Sequence, residues 1–186
     1  MSTTINVNYV NICNLHLNKI KRSAKHTDII NNIIDDMLMN KVYINNAKIY
    51  ININRNILNL INEWYNLSSE LQEYNNYPIV VYRGIKNIDM KDTFLHPIPF
   101  STCVEYDNAL NWINFNDLER SFILKIHVCP NTSFTFTGNF NEGNEVILPA
   151  GMLHVIKIYH ENNVKIVECS FEQFSYNEMI MNITPK

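Results

Sequence analysis

Hydrophobic residues in the first part of the chain recur at the spacing of an α-helix. In residues 26–40 and again in residues 46–66 they fall three or four positions apart, which places them on one face of a helix. These positions are Ile29, Ile30, Ile33, Ile34, Met37, Leu38, Ile53, Ile57, Leu60, Ile61 and Trp64. Thr27 and Asp28 are suitable capping residues for the first helix. Because no proline or glycine occurs before Pro78, we predict a helical lobe over residues 1–77.

From Pro78 onward the pattern changes to short runs of β-branched and aromatic residues, which are typical of strands. The predicted strands cover residues 79–82, 122–128, 133–137, 145–148, 153–159 and 164–170, and one further helix is expected over residues 106–113. Helices that come first and strands that come later predict an α+β fold. No repeat or linker separates the two parts, so we expect residues 1–186 to form one domain, with a β-rich core over residues 78–186.

The composition excludes several classes of partner. The net charge is −3 and 46% of the residues are hydrophobic, so we expect a folded core and neither a nucleic-acid nor a membrane partner. The four cysteines and six histidines are scattered without metal-ligand spacing, and no metal site is expected. Each histidine is interpreted as an ordinary core or surface residue. No secretory signal is visible after Met1, which predicts a cytoplasmic protein, the cytoplasm of a host included.

Glycine is scarce, and its positions are informative. The chain has only four glycines, and none of them forms a glycine-rich nucleotide-binding loop. All four, Gly84, Gly138, Gly143 and Gly151, lie in the β-rich half.

Three segments in that half occur in a characteristic order. YRG ends the first predicted strand with Arg83, PFSTC follows at residues 99–103 with Ala109 downstream, and NEVILPAG begins at residue 144. Each segment alone has a structural explanation, because a strand-end arginine can pair with a carboxylate and a Ser-Thr pair can end a strand. The order and separation of the three segments make a shared functional role the better interpretation.

Together these segments resemble the Arg–Ser-Thr-Ser–Glu signature of the R-S-E class of mono-ADP-ribosyltransferases. This class includes clostridial binary toxins, exoenzyme-type bacterial toxins and vertebrate arginine-specific enzymes, and the similarity covers residues 79–159. The resemblance implies a helical lobe followed by a mainly antiparallel, two-sheet β core. It also implies that NAD is the substrate, that no metal takes part, and that a protein, not identified by the sequence, accepts the ADP-ribose.

The resemblance assigns the catalytic roles to three residues. Glu145 would hydrogen-bond the ribose 2′-hydroxyl and stabilise the oxocarbenium-like transition state. Arg83 would hold the phosphates of NAD, for which a planar and permanently charged guanidinium is well suited. Ser101 would orient Glu145 and line the ribose pocket.

The remaining NAD-binding positions follow from the same resemblance. Gly84 would let the backbone approach the nicotinamide carboxamide, and Thr102 would support the strand that carries Ser101. Phe115, in the loop after the predicted helix, would stack on nicotinamide. Cys103 stands where the family has serine, in a supporting role.

The acceptor end of the site departs from the family pattern. The family has Glu-x-Glu or Gln-x-Glu, whereas this chain has Gly143, Asn144 and Glu145. Gly143 would share a strand face with Glu145, while Glu142 would point away unless a bulge intervenes. Phe140 is the candidate target-recognition residue, and an incidental phenylalanine at a hairpin tip is an equally open interpretation.

The sequence therefore leaves three functions open. The first is an NAD-dependent mono-ADP-ribosyltransferase that modifies a protein side chain. The second is an NAD glycohydrolase, in which water replaces the protein acceptor. The third is a catalytically inactive protein of the same fold that serves as an interaction module.

Overall fold

The computed structural model describes residues 78–96, 99–136 and 145–183, together with residues 59, 62, 65 and 66. These four residues have helical backbone, and the helical lobe as a whole stays a prediction. The rest of the expected helical lobe lies outside the described residues. Within the described part of the chain, no helix combines the length and apolar character needed to cross a membrane.

Eight strands and two helices make up the described β-rich region. The strands are β1 (Ile79–Ile85), β2 (Thr93–His96), β3 (Phe100–Cys103), β4 (Phe122–Val128), β5 (Thr135–Phe136), β6 (Glu145–Leu148), β7 (Gly151–Glu161) and β8 (Val164–Gln173); the helices are α1 (Tyr106–Leu110) and α2 (Tyr176–Ile183). The bounds of β4 and β6 match the predicted strands, and α1 is shorter than predicted. The expectation of a single helix after residue 78 was wrong, because α2 follows the last strand.

The start of α2 has a sequence signal that hydrophobic periodicity overlooks. The Ser175 backbone N–H donates to Glu178 Oε2 at 2.7 Å, and the Glu178 backbone N–H donates to Ser175 Oγ at 3.3 Å. This reciprocal pair is a capping box, which requires a serine followed three residues later by a glutamate. The motif was therefore visible in the sequence.

The described strands form one mixed sheet in the order β2-β7-β8-β4-β1-β3-β6-β5. Only the β4–β8 pairing is parallel among them. The expectation of two sheets was wrong for the described strands, which are hydrogen-bonded into one sheet. Within it, a five-strand portion (β2, β7, β8, β4, β1) and a three-strand portion (β3, β6, β5) are joined at the single pair Tyr82 and Cys103. Beyond this pair β3 diverges from β1 and pairs with β6 alone. The divergence lets the two portions enclose a common core.

The packing of the core makes β1, which carries Arg83, a rigid strand. Val81 and Leu124 from the five-strand portion pack with Phe100 and Leu148 from the three-strand portion. On the opposite face, a second buried cluster packs α1 against the sheet; its members include Tyr82, Cys103, Ala109 and Ile123. Since β1 is buried on both faces and pairs with β4 along its whole length, its backbone has little freedom to move.

Tyr65 connects the helical residues to the turn after β6. Its hydroxyl accepts a hydrogen bond from the backbone N–H of Ala150 at 3.1 Å, and its ring lies edge-on to Tyr176, with centroids 5.8 Å apart. Ala150 and Met179 are fully buried beside it. Burial raises the pKa of Tyr65 above its usual value, so the hydroxyl stays neutral.

We expect Tyr65→Phe to lower the free energy of unfolding by about 1–3 kcal/mol, because it leaves the buried N–H of Ala150 without its acceptor. Urea denaturation followed by circular dichroism measures the change. Tyr159→Phe is the matched control, since no hydrogen bond to the Tyr159 hydroxyl is found among the described residues; it should change stability by less than about 0.5 kcal/mol. Equal losses in the two variants would contradict the role of the Tyr65 hydroxyl.

Candidate active site

Ser101 and Glu145 are brought together by the pairing of β3 with β6. Ser101 pairs with Ile147 and Cys103 pairs with Glu145, so Ser101 and Glu145 are diagonal neighbours on one face of the sheet. Ser101 Oγ donates to Glu145 Oε1 at 2.5 Å, a length typical of a hydroxyl that donates to a carboxylate. Glu145 is only 6% exposed, whereas Ser101 is exposed. The Ser101 hydroxyl thus connects the buried Glu145 carboxylate to the protein surface.

Arg83 reaches the same place from β1. The side chain is half-buried, and its Nη1 donates to the backbone carbonyl oxygen of Ser101. Its guanidinium carbon lies 5.7 Å from the centre of the Phe100 ring, within the range of a cation–π contact. Burial lowers the pKa of Arg83, and the nearby Cys103 and Glu145 oppose part of that shift. Arginine nevertheless keeps its charge in proteins.

Arg83 has one buried donor that is not satisfied within the described residues. Its Nε atom is buried and has no hydrogen-bond partner, and within the described residues only Ser121 Oγ shares that condition. A buried N–H without an acceptor costs about 1–3 kcal/mol. The oxygen of a bound anion would remove this cost, so the arrangement around Arg83 fits an anionic ligand.

Thr102 and Cys103 bind β3 to its neighbours. Thr102 Oγ1 donates to the carbonyl oxygen of Val146 at 2.7 Å in a buried position. The Cys103 thiol lies 3.4 Å from the carbonyl oxygen of Tyr82 and 3.3 Å from that of Glu105. Burial, with smaller contributions from Glu105 and Glu145, raises the pKa of Cys103 to about 12. Cys103 is therefore a neutral donor, as a serine in its place would be.

Gly84 is required by the packing of α1. A Cβ atom at this position would lie 2.3 Å from the carbonyl oxygen of Ala109 and 2.7 Å from Cβ of Trp112. Any side chain would push the end of α1 away from β1. This is a structural reason for the glycine, and its proposed place beside the nicotinamide carboxamide stays a prediction.

The other predicted binding residues lie farther along the chain or outside the described ranges. Phe115 is in the segment between α1 and β4 and is 60% exposed, so its stacking on nicotinamide stays a prediction. Gly138, Phe140, Glu142 and Gly143 lie outside the described residues. Recognition of the acceptor by Phe140 accordingly stays a prediction as well.

His96 belongs to this site, although sequence reasoning treated it as an ordinary histidine. It is 5% exposed, and its ring stacks on Phe100 with centroids 3.9 Å apart and planes 18° apart. Burial, together with the positive charge of Arg83, lowers the pKa of His96 to about 3. The burial pattern of Thr93–His96 places His96 on the same side as Phe94, but the residue types Thr-Phe-Leu-His do not alternate between polar and apolar, so the sequence carried no signal for it.

Within the described ranges, no group of three or more histidine, cysteine, aspartate or glutamate side chains is arranged to hold a metal ion. The chemistry that can be read from the site is that of one buried carboxylate, one hydroxyl and one guanidinium.

Comparison with known proteins identifies the fold. The sequence matches no protein-family model, and no curated protein matches it. The structure is similar to C3stau2 from S. aureus, solved with NAD, with a TM-score of 0.63 and 14% identity over 90% of this chain and 96% of that one. It is also similar to the C3 exoenzyme of Clostridium limosum, with a TM-score of 0.54 and 13% identity over 81% and 86% of the two chains.

A third similar structure is Plx2a, an ADP-ribosyltransferase toxin from Paenibacillus larvae, with a TM-score of 0.52 and 12% identity over 84% of this chain and 90% of that one. At this level of identity the likeness shows the fold. The chain has the ADP-ribosyltransferase fold, and the resemblance noted in the sequence motifs is confirmed at that level.

The buried neutral His96 predicts a dependence of stability on pH. Its folded pKa is about 3, below the ordinary value of 6.5, so in acid the unfolded chain takes up a proton that the folded chain does not. Stability from this group is complete above about pH 6.5 and is lost as the pH falls toward about 3. Between about pH 7 and about pH 5 the loss should be roughly 2 kcal/mol. The free energy of unfolding of His96→Phe should therefore fall by about 2 kcal/mol less than that of the native protein over the same pH interval. Urea unfolding at both pH values measures the two losses. Equal losses in the two proteins would contradict a neutral His96.

Proposed function

We propose that the protein is an NAD-dependent mono-ADP-ribosyltransferase, which cleaves the bond between nicotinamide and ribose and transfers ADP-ribose to a protein side chain. The observation that carries the proposal is the convergence of three side chains from distant parts of the chain. Ser101 donates its hydroxyl to Glu145 and accepts a hydrogen bond from Arg83 at its own carbonyl oxygen. The fold, shared with C3stau2 solved with NAD, supports the same reading.

The reaction needs few protein groups, which suits a site in which Glu145 is the carboxylate that the described residues supply. The C–N bond to nicotinamide breaks with both electrons going to the ring nitrogen, so the cationic ring leaves as a neutral molecule and requires no general acid. The positive charge moves to the ribose as an oxocarbenium-like state. The Glu145 carboxylate would stabilise that charge, and its burial makes the interaction stronger than it would be in water.

Arg83 would bind the diphosphate of NAD. Its buried Nε donor lacks a partner among the described residues, and a phosphate oxygen is a suitable acceptor for the parallel N–H groups of a guanidinium. Since Ser101 contacts both Arg83 and Glu145, the bound phosphates and the reacting ribose would be held at a fixed separation. Such positioning lowers the barrier without further chemistry from the protein.

The acceptor end of the site is where this sequence differs most from the family pattern. Where an arginine-modifying member has an acidic residue two positions before the catalytic glutamate, this chain has Gly143. An arginine acceptor is a poor nucleophile because its pKa exceeds 12, and it would lack that activating group. The transfer is therefore proposed to a protein side chain without specifying arginine, and water as the acceptor is the second candidate.

Glu145→Gln should lower the rate of nicotinamide release from NAD by about 100-fold or more, because the amide keeps the shape of the side chain but loses its charge. Binding of NAD, measured by calorimetry, should change only a few-fold. Glu172→Gln is the matched control, because Glu172 is exposed on β8 and pairs with His154 away from the site; its rate should equal that of the native protein. Undiminished release by Glu145→Gln would disprove the catalytic assignment.

Labelled NAD distinguishes the three functions in the same experiment. Labelled acceptor protein in a lysate supports the transferase, and free ADP-ribose without labelled protein supports a glycohydrolase. Absence of NAD binding at millimolar concentration would contradict both enzymatic functions and favour an interaction module. Mass spectrometry of the labelled protein identifies the acceptor residue.

Arg83→Lys should raise the dissociation constant for NAD by about tenfold or more, since an ammonium group cannot present the planar set of donors that a phosphate accepts. Arg120→Lys is the control, because Arg120 forms an exposed ion pair with Asp89 at 3.0 Å. Calorimetric titration with NAD measures both. Equal affinities of the two variants for NAD would contradict the proposal that Arg83 binds the diphosphate.

A further inference from the structure

Phe100 is the common neighbour of His96 and Arg83. The Phe100 ring is buried, stacks on His96 at 3.9 Å and meets the ring of Phe171 edge-on at 5.9 Å. The guanidinium of Arg83 lies 5.7 Å from its centre. Two aromatic contacts therefore fix the orientation of the ring that the guanidinium contacts.

The stack joins the two portions of the sheet beside the site. His96 is the last residue of β2 and pairs with Gly151 on β7, within the five-strand portion. Phe100 is the first residue of β3 and pairs with Leu148 on β6, within the three-strand portion. The position of Phe100 under Arg83 thus depends on a contact from the other side of the core.

A fixed ring matters because arginine is a long side chain with about 2 kcal/mol of rotamer entropy to lose on binding a ligand. The hydrogen bond to the Ser101 carbonyl oxygen holds one end of the guanidinium, and the Phe100 ring supports it through a cation–π contact. A guanidinium that is already ordered in the free protein binds phosphate more tightly.

A neutral imidazole at His96 is compatible with the nearby positive charge of Arg83. The burial of the ring, and to a smaller extent the charge of Arg83, lower the pKa of His96 and keep it neutral at physiological pH. A protonated ring beside the guanidinium would repel it, whereas a neutral ring stacks on Phe100 without electrostatic cost. Phenylalanine would therefore be an adequate substitute at this position, and leucine, which has no planar face, would not.

We propose that His96 is a positioning residue for NAD: its stack on Phe100 orders the Arg83 guanidinium for the diphosphate before the dinucleotide binds. This inference rests on the proposed function and extends it to a residue that does not touch the substrate. It predicts an effect on NAD binding with little effect on the chemical step, since Glu145 and Ser101 are not in the stack.

The experiment compares His96→Leu and His96→Phe with the native protein in NAD titrations and in nicotinamide-release kinetics. His96→Leu should raise the dissociation constant and the KM for NAD by about tenfold, with kcat at saturating NAD changed less than about threefold. His96→Phe should restore both constants to within about threefold of the native values. His154→Leu, at an exposed histidine on β7, is the matched control and should leave both constants unchanged.

NMR of the Arg83 Nε–H in the ligand-free proteins supplies a readout that needs no NAD. A sharp, exchange-protected signal is expected in the native protein and in His96→Phe, and a broadened one in His96→Leu. An unchanged KM and an unchanged signal in His96→Leu would overturn the inference while the proposed function stands. If the native protein binds no NAD, the proposed function fails, and the NMR comparison still decides whether His96 orders Arg83.

Discussion

The register between β3 and β6 is the constraint on which the site depends. It places Ser101 diagonally to Glu145 on one face of the sheet, where the hydroxyl donates to the carboxylate at 2.5 Å. A slip of one residue would turn Glu145 to the opposite face and leave a buried carboxylate without that donor. Thr102 opposes such a slip, because its hydroxyl is bonded to the Val146 carbonyl oxygen on the neighbouring strand. Thr102, next to Ser101 in the chain, thus holds the alignment that places Ser101 beside Glu145.

The short pairing between β1 and β3 brings charged groups together at the site. Because the strands pair only at Tyr82 and Cys103, the backbone carbonyl of Ser101 is available to the Arg83 guanidinium instead of to a ladder partner on β1. A half-buried guanidinium and a buried carboxylate therefore lie within one small region, and the buried Nε–H of Arg83 has no hydrogen-bond partner among the described residues. Buried charged groups are costly unless a partner satisfies them. That cost is consistent with a site whose remaining partner is a ligand.

Much of the β-rich core was predictable because strand periodicity is local. The bounds of β4 and β6 follow from their β-branched and aromatic runs, and α2 carried a readable capping box at Ser175 and Glu178. β2 was not predicted, since four residues with one alternation are too few to stand out, and its burial depends on pairing with β7. The single-sheet topology was also out of reach, because strand order is decided by contacts between residues far apart in the chain.

By itself, the sequence indicated the candidate groups and their order: an arginine at the end of a predicted strand, a Ser-Thr pair in the PFSTC segment, and a glutamate at the start of a later predicted strand. The resemblance of these segments to the R-S-E signature was enough to indicate the fold. Only the tertiary structure decided that the Ser101 carbonyl oxygen accepts a hydrogen bond from Arg83, that Gly84 is required by the approach of α1, and that His96 stacks on the Phe100 ring that contacts the arginine. The physical reason is that burial and stacking depend on which surfaces the folded sheet brings into contact, and no local pattern of hydrophobic residues encodes that by itself.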